Sequence, residues 1–209
     1  MTASAGPARP AAAARPQRSE EVAALGPRAV LVPVKSFADA KTRLGEVLSD
    51  AERRALVQAM AERVLAAAAP LPVAVVCDDR AVAGWARQQG ALVIWEPGRG
   101  LNGAVEAGVE RLGEMGVEHV TVAHGDLPMA TGIGSLEPFE GITLVPDRHG
   151  NGTNVIRLPV GCGFRFSYGP GSFERHQREC HRLSMPVQVL HAPTLAHDVD
   201  WPDDLAWAP

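Results

Sequence analysis

The sequence is poor in aromatic residues, which make up 5% of its 209 positions. A platform that stacks single-stranded nucleic acid on successive rings needs more of them. Basic charge is not in excess either. The formal net charge is −4 at pH 7, which excludes a broad cationic face holding duplex phosphates as the organising feature. No apolar run approaches the roughly 20 residues that a helix needs to cross a bilayer. Cysteine is limited to Cys77, Cys162 and Cys180, widely spaced and without a Cys-x-x-Cys pair. Three thiols so placed build neither a disulfide framework nor a structural zinc site, and they suit a reducing cytoplasm. The chain has no Gly-x-x-x-x-Gly-Lys-Ser/Thr loop, no His-Glu-x-x-His pair and no Ser-His-Asp set in nucleophile-elbow context.

What is present is ordinary globular material: 46% hydrophobic and 21% charged residues, enough for one sizeable α/β domain. The beginning differs in kind. Residues 1–18 hold seven Ala, three Pro and three Arg and no acid. They contain no apolar stretch of about 7–15 residues, so they are not a secretory signal. Residues 1–27 are expected to be a disordered leader that takes no part in the chemistry, and 28–209 a single domain.

From Arg28 onward the text is regular. The apolar run Ala29–Val34 suits a buried parallel strand. Ser49-Asp-Ala-Glu52 offers N-cap chemistry before Leu56, Met60, Val64 and Leu65 at helical spacing. Strands at 73–76, 92–95 and 117–123 alternate with helices near 81–89 and 101–112. That rhythm predicts a Rossmann-like, mostly parallel sheet flanked by helices, with right-handed crossovers. After residue 126 the pattern changes to a short helix near 133–136, strands at 142–145 and 153–158, a helix at 172–182, a strand at 186–190 and a last short helix near 202–207.

Unusual residues gather at the carboxyl ends of the expected strands, where ligands bind in open α/β sheets. The first loop carries Lys35, Lys41 and Arg43, cations able to neutralise a polyphosphate or merely to solvate a surface. Gly98-Arg-Gly-Leu-Asn-Gly103 matches Gly-x-Gly-x-x-Gly, but it follows the third strand rather than the first and lacks the expected acid about 20 residues on. Asp126 follows the fourth strand, and Asp198 and Asp200, two apart, face the same way in extended chain. Three converging carboxylates would make a Mg²⁺ site. Equally, Asp126 could start a turn before Pro128 and Asp200 could cap the last helix. Gly169-Pro-Gly-Ser172 opens a helix whose amides suit an anion, or is a glycine turn with a Ser cap. His149, His176, His181 and His191 lack metal-ligand spacing and default to surface or core.

Taken in order, Val32-Pro-Val-Lys-Ser-Phe-Ala-Asp-Ala-Lys-Thr-Arg-Leu44, Gly100-Leu-Asn-Gly-Ala104, His124-Gly-Asp-Leu-Pro128, Pro146-Asp-Arg-His-Gly-Asn-Gly-Thr-Asn154, Tyr168-Gly-Pro-Gly-Ser-Phe173 and Asp198-Val-Asp-Trp-Pro-Asp-Asp-Leu205 resemble the guanylyltransferases of coenzyme F420 biosynthesis. The match spans about 29–205. The wider group is the molybdenum-cofactor type of nucleotidyltransferase, which implies a Rossmann-like sheet with a small β extension; its usual Gly-Gly-x-Ser loop is absent, and the Lys35–Arg43 loop stands in its place. The resemblance implies transfer of a guanylyl group from GTP to phosphoenolpyruvate, with 2-phospho-L-lactate as the alternative acceptor. It implies that Asp126, Asp198 and Asp200 hold Mg²⁺ and that Lys41 and Arg43 steady the departing pyrophosphate. Lys35 and Asn102 would touch the nucleotide, and Thr153, Gly169 and Ser172 would grip the acceptor anion. A metal-dependent nucleotide-sugar glycosyltransferase and a non-catalytic nucleotide-binding regulator are the rival readings. Neither a nucleic acid nor a membrane is expected as partner.

Overall fold

The computed structural model describes residues 25–208; most of the expected leader therefore lies outside the described residues. Strand β1 (Arg28–Pro33) is buried on both faces along Ala29–Val32, as its unbroken apolar run requires. Helix α1 (Asp50–Ala67) starts at Ser49, whose hydroxyl accepts from the Glu52 amide while the Glu52 carboxylate accepts from the Ser49 amide. Then follow β2 (Val73–Cys77), α2 (Arg80–Gln88, capped by Asp79), β3 (Leu92–Trp95), α3 (Gly100–Glu114) and β4 (His119–Ala123). The second half holds β5 (Ile142–Pro146), β6 (Thr153–Pro159), α4 (Ser172–Arg182), β7 (Val187–Val189) and the four-residue α5 (Pro193–Ala196). Short 3-10 turns cover Thr42–Leu44, Ile133–Ser135 and Pro202–Trp207.

All seven strands join one sheet in the order β3-β2-β1-β4-β6-β5-β7. Only β6 runs against its neighbours, so the expected parallel character holds and the extension lengthens the same sheet. Alternate residues of β1 face opposite layers. Val30 and Val32 pack with Met60, Val64 and Val82 beneath α1 and α2, whereas Leu31 packs with Val105, Leu112 and Val122 beneath α3. At Gly108 a Cβ would lie 2.7 Å from Leu31 Cδ2. Glycine there lets α3 lie close on β1, which brings the start of α3 to the end of the strand.

The folded part reaches slightly before Arg28. The Pro27 carbonyl accepts the amides of Glu118 and His119, and Leu25 packs on the α3 layer. Among the described residues no helix is long and apolar enough to cross a membrane. Cys77 and Cys180 are buried and Cys162 half-buried, all as thiols.

Candidate active site

β1 lies between β2 and β4, with α1 and α3 on opposite faces, so a crevice opens where the strand order reverses. A cleft of about 770 Å³ occupies that place. Lys35, Lys41, Arg43, Asp126 and Asp200 line it, together with Asp78, Glu96, Leu101 and His124.

Its centre is Lys41. The Nζ atom lies 2.5 Å from Asp126 Oδ2 and 2.8 Å from Asp200 Oδ1. Lys41 itself is left-handed, with φ of 54°, a conformation uncommon outside glycine; the two ion pairs hold it there. Burial opposes the ammonium charge, but Asp126 and Asp200 outweigh it and keep Lys41 well above the ordinary lysine range. Burial likewise opposes ionisation of Asp126, and Lys41, with help from His124, draws its carboxyl below the usual range. Asp198 has no such partner. Burial first, and then the Asp126 charge, push its carboxyl up to about 6.

Two alternatives left open by the sequence close here. The residue capping the last turn is Trp201, not Asp200. Asp204 Oδ2 accepts the amides of Asp200 and Trp201, each at 2.8 Å, which leaves the Asp200 carboxylate to Lys41. Asp126 does sit in the turn after β4, but its carboxylate caps no neighbouring amide there: Oδ2 meets Lys41, and Oδ1 is buried without a partner. The Val199 amide donates to the Asp126 carbonyl at 3.3 Å, fixing the strand of Asp198 and Asp200 beside Asp126. Arg148 completes the arrangement by pairing with Asp204 and bonding the Asp198 carbonyl.

Among the described residues no group of three His, Cys, Asp or Glu side chains is gathered closely enough to hold a metal ion as it stands, because the Lys41 ammonium sits between Asp126 and Asp200. The donor chemistry nonetheless fits Mg²⁺. The oxygens are hard, Asp126 Oδ1 is unclaimed, and the Asp198 charge is uncompensated. Magnesium commonly takes one or two carboxylates and completes its shell with waters and substrate phosphates, so a closed cage is not required.

The remaining residues named from the sequence lie off the cleft wall. Asn102 Oδ1 accepts from the Tyr168 amide at 2.7 Å; it ties α3 to a distant loop instead of presenting itself to the cleft. Thr153 is buried, its Oγ1 3.0 Å from His176 Nδ1. His176 Nε2 accepts from the Ser167 amide at 3.0 Å, so Nδ1 carries the proton and donates to Thr153. Ser172 is buried in the first turn of α4, after a cap formed by Gly171 rather than by Ser172. Gly169 is exposed, with φ of 116°. Arg175 pins this turn through the carbonyls of Ser167, Gly169 and Pro170. Thr153, Gly169 and Ser172 thus gather around one loop beside the cleft, and His124 and Tyr168 stand between them and Lys41.

Sequence reasoning missed Asp78 and Glu96 on the cleft, and Trp201, whose ring lies 4.6 Å from the Arg43 guanidinium carbon. It also missed Asp204 and Arg148 behind Asp200. The acids after β2 and β3 had a signal, since both follow strand ends; the Arg148–Asp204 pairing had none.

The family model for CofC-like guanylyl transferases matches residues 28–207. A phosphoenolpyruvate guanylyltransferase from Sphaerobacter thermophilus is 34% identical over 184 residues, covering 84% of this chain and 89% of that protein. Another, from Rubrobacter xylanophilus, is 37% identical over 191 residues, covering 84% and 90%. Among solved structures, a putative nucleotide-diphospho-sugar transferase from Desulfovibrio desulfuricans superposes with a TM-score of 0.68 at 18% identity, covering 85% and 84% of the two chains. A nucleotidyl transferase from Methanothermobacter gives 0.61 at 12% identity, covering 87% and 95%. At such identities these structures speak for the fold alone.

Proposed function

The chain belongs to the family of CofC-like guanylyl transferases, and from that premise we propose that it joins GTP and phosphoenolpyruvate to give enolpyruvyl-diphospho-guanosine and pyrophosphate, in coenzyme F420 biosynthesis. The observation that carries this reading is Lys41 held between Asp126 and Asp200 in a cleft at the switch point of the sheet. A nucleotide-sugar glycosyltransferase shares the sheet, but the family match and the curated relatives favour guanylyl transfer.

An oxygen of the phosphoenolpyruvate phosphate attacks the α-phosphorus of GTP. The bond from that phosphorus to the bridging oxygen breaks, and pyrophosphate leaves with the electron pair. The attacking phosphate is ionised at neutral pH, so no side chain need take a proton. The protein's task is placement and charge neutralisation. Lys41 and Arg43 face the cleft and neutralise the departing pyrophosphate. Lys35 lines the same wall and meets the nucleotide phosphates. Asp126, Asp198 and Asp200 would hold Mg²⁺, which when bound offsets phosphate charge. Thr153, Gly169 and Ser172 surround the acceptor end, and Asn102 acts on it by fixing Tyr168.

Pyrophosphate release across GTP and ATP paired with phosphoenolpyruvate and 2-phospho-L-lactate tests the reading. GTP with phosphoenolpyruvate and Mg²⁺ is expected to give the highest kcat/KM. Turnover only with a nucleotide sugar, or no release with GTP and either acid, would overturn it.

A further inference from the structure

Four buried side-chain atoms among the described residues lack a hydrogen-bond partner, and three of them belong to one place: Asp126 Oδ1, His124 Nε2 and the Tyr168 hydroxyl. Buried polar groups are nearly always satisfied, because leaving one unpaired costs about 1–3 kcal/mol. A hydroxyl and a ring nitrogen orphaned side by side call for a reason. Tyr168 is the only tyrosine in the chain. Its ring meets the His124 ring edge-on, with centroids 4.6 Å apart, and is enclosed further by Phe166 and His176. A phenylalanine would fill that apolar setting without an unpaired hydroxyl.

His124 faces the cleft next to Asp126, and Tyr168 lies directly behind it, one residue before Gly169. The pair therefore stands where the Lys41 cleft meets the turn at 167–172. Backbone bonds to Asn102 and Arg175 hold that turn in place. We propose that the Tyr168 hydroxyl and His124 Nε2–H form the donor pair that binds the carboxylate of the three-carbon acid, a role that rests on the function proposed above. The acid carries two anionic ends. Its phosphate must approach the α-phosphorus of GTP beside Lys41 and the aspartates. Its carboxylate is then directed away from those aspartates, toward neutral donors. The Tyr168 hydroxyl is such a donor, His124 Nε2 is one in the tautomer that carries its proton there, and both are buried without a partner in the fold.

The test uses Tyr168→Phe, which removes one oxygen and keeps the ring, with His124→Gln as a second variant. Phosphoenolpyruvate binding is measured by calorimetry and turnover by pyrophosphate release. Tyr168→Phe is expected to weaken phosphoenolpyruvate binding and raise its KM by tenfold or more, with KM for GTP within twofold and Tm unchanged or higher. With vinyl phosphate, which lacks the carboxyl group altogether, wild type and variant should bind alike, because the interaction is already lost. Unchanged phosphoenolpyruvate binding in Tyr168→Phe overturns the assignment, as does an equal loss for vinyl phosphate. So does a lowered Tm with both KM values raised, which marks a packing role. Pyrophosphate release by the wild type reports on guanylyl transfer separately, so the two ideas fail independently.

Discussion

Asp204 accepts the backbone amides of Asp200 and Trp201 on one carboxylate oxygen while the other meets Arg148. Asp204 is buried and distant in sequence from Arg148, yet it sets the direction in which Asp200 faces Lys41. Asp204→Ala leaves two amides and a guanidinium without their acceptor. Such losses cost about 2–4 kcal/mol in stability. Because the same bonds orient Asp200, kcat is expected to fall tenfold or more at a temperature where the variant is still folded. Asp204→Asn retains one oxygen and should recover part of both. Chemical denaturation and steady-state kinetics on the two variants check this. A stability loss with kcat intact would mean that Asp204 only holds the terminus.

Lys41 keeps the charges of Asp126 and Asp200 compatible. Lys41→Met removes the cation that bonds both. Asp200 is 47% exposed at its side chain, so solvent screens part of the loss. The expected cost is about 1–2 kcal/mol rather than the roughly 3–5 kcal/mol of a fully buried pair. Turnover should drop by at least a hundredfold. Mg²⁺ binding, followed by calorimetry without nucleotide, should tighten, because the ammonium no longer competes for the same oxygens. Weaker Mg²⁺ binding in the variant would contradict that competition.

His176 gives the fold a dependence on pH. Burial, with the nearby Arg175 charge, lowers its pKa to about 4, against an ordinary value near 6.5. The unfolded chain therefore takes up this proton first. Stability is intact above about pH 6.5, declines as pH falls toward 4, and loses about 3 kcal/mol in total below that. His176→Gln should flatten the slope between pH 6.5 and 4.5, whatever it does to stability at pH 7. Urea midpoints at several pH values measure the slope, and identical slopes in the two proteins would remove His176 as its source.

The first half of the fold was legible because local signals agree there. Val30–Val32, the Ser49–Glu52 cap and the end of α2 at Gly90 each specify their element from neighbouring residues. What escaped was short or tertiary. The Pro193–Ala196 helix and the Thr42–Leu44 turn span about one turn each, too short for an apolar spacing to repeat. The three aspartates could be listed as candidates, but that Asp200 does not cap the last turn was decided by Asp204. Asn102 was named as a nucleotide contact through resemblance, and no local pattern indicated the bond it makes. Its partner, the Tyr168 amide, lies 66 residues away, beyond what any local pattern reports. Thr153 and Ser172 were named through resemblance, and no spacing indicated that both are buried.

Trp201 offers the most selective test of the leaving-group side. Its ring is 56% exposed, unusual for so large an apolar side chain, and it lies 4.6 Å from the Arg43 guanidinium carbon. Stacking of this kind contributes about 0.5–1 kcal/mol at an exposed site, so Trp201→Ala should leave stability nearly unchanged. Its effect should fall on Arg43. Without the ring the guanidinium samples more positions and neutralises pyrophosphate less well. The inhibition constant of pyrophosphate should rise about twofold to fivefold, the factor that corresponds to the same 0.5–1 kcal/mol. KM for phosphoenolpyruvate should not move, because Trp201 and Arg43 lie on the far side of Asp126 from Tyr168 in this reading. Arg43→Ala should raise the constant further, and adding Trp201→Ala to it should do nothing more. Additive effects in the double variant would show that the ring acts on the substrate directly and not through Arg43.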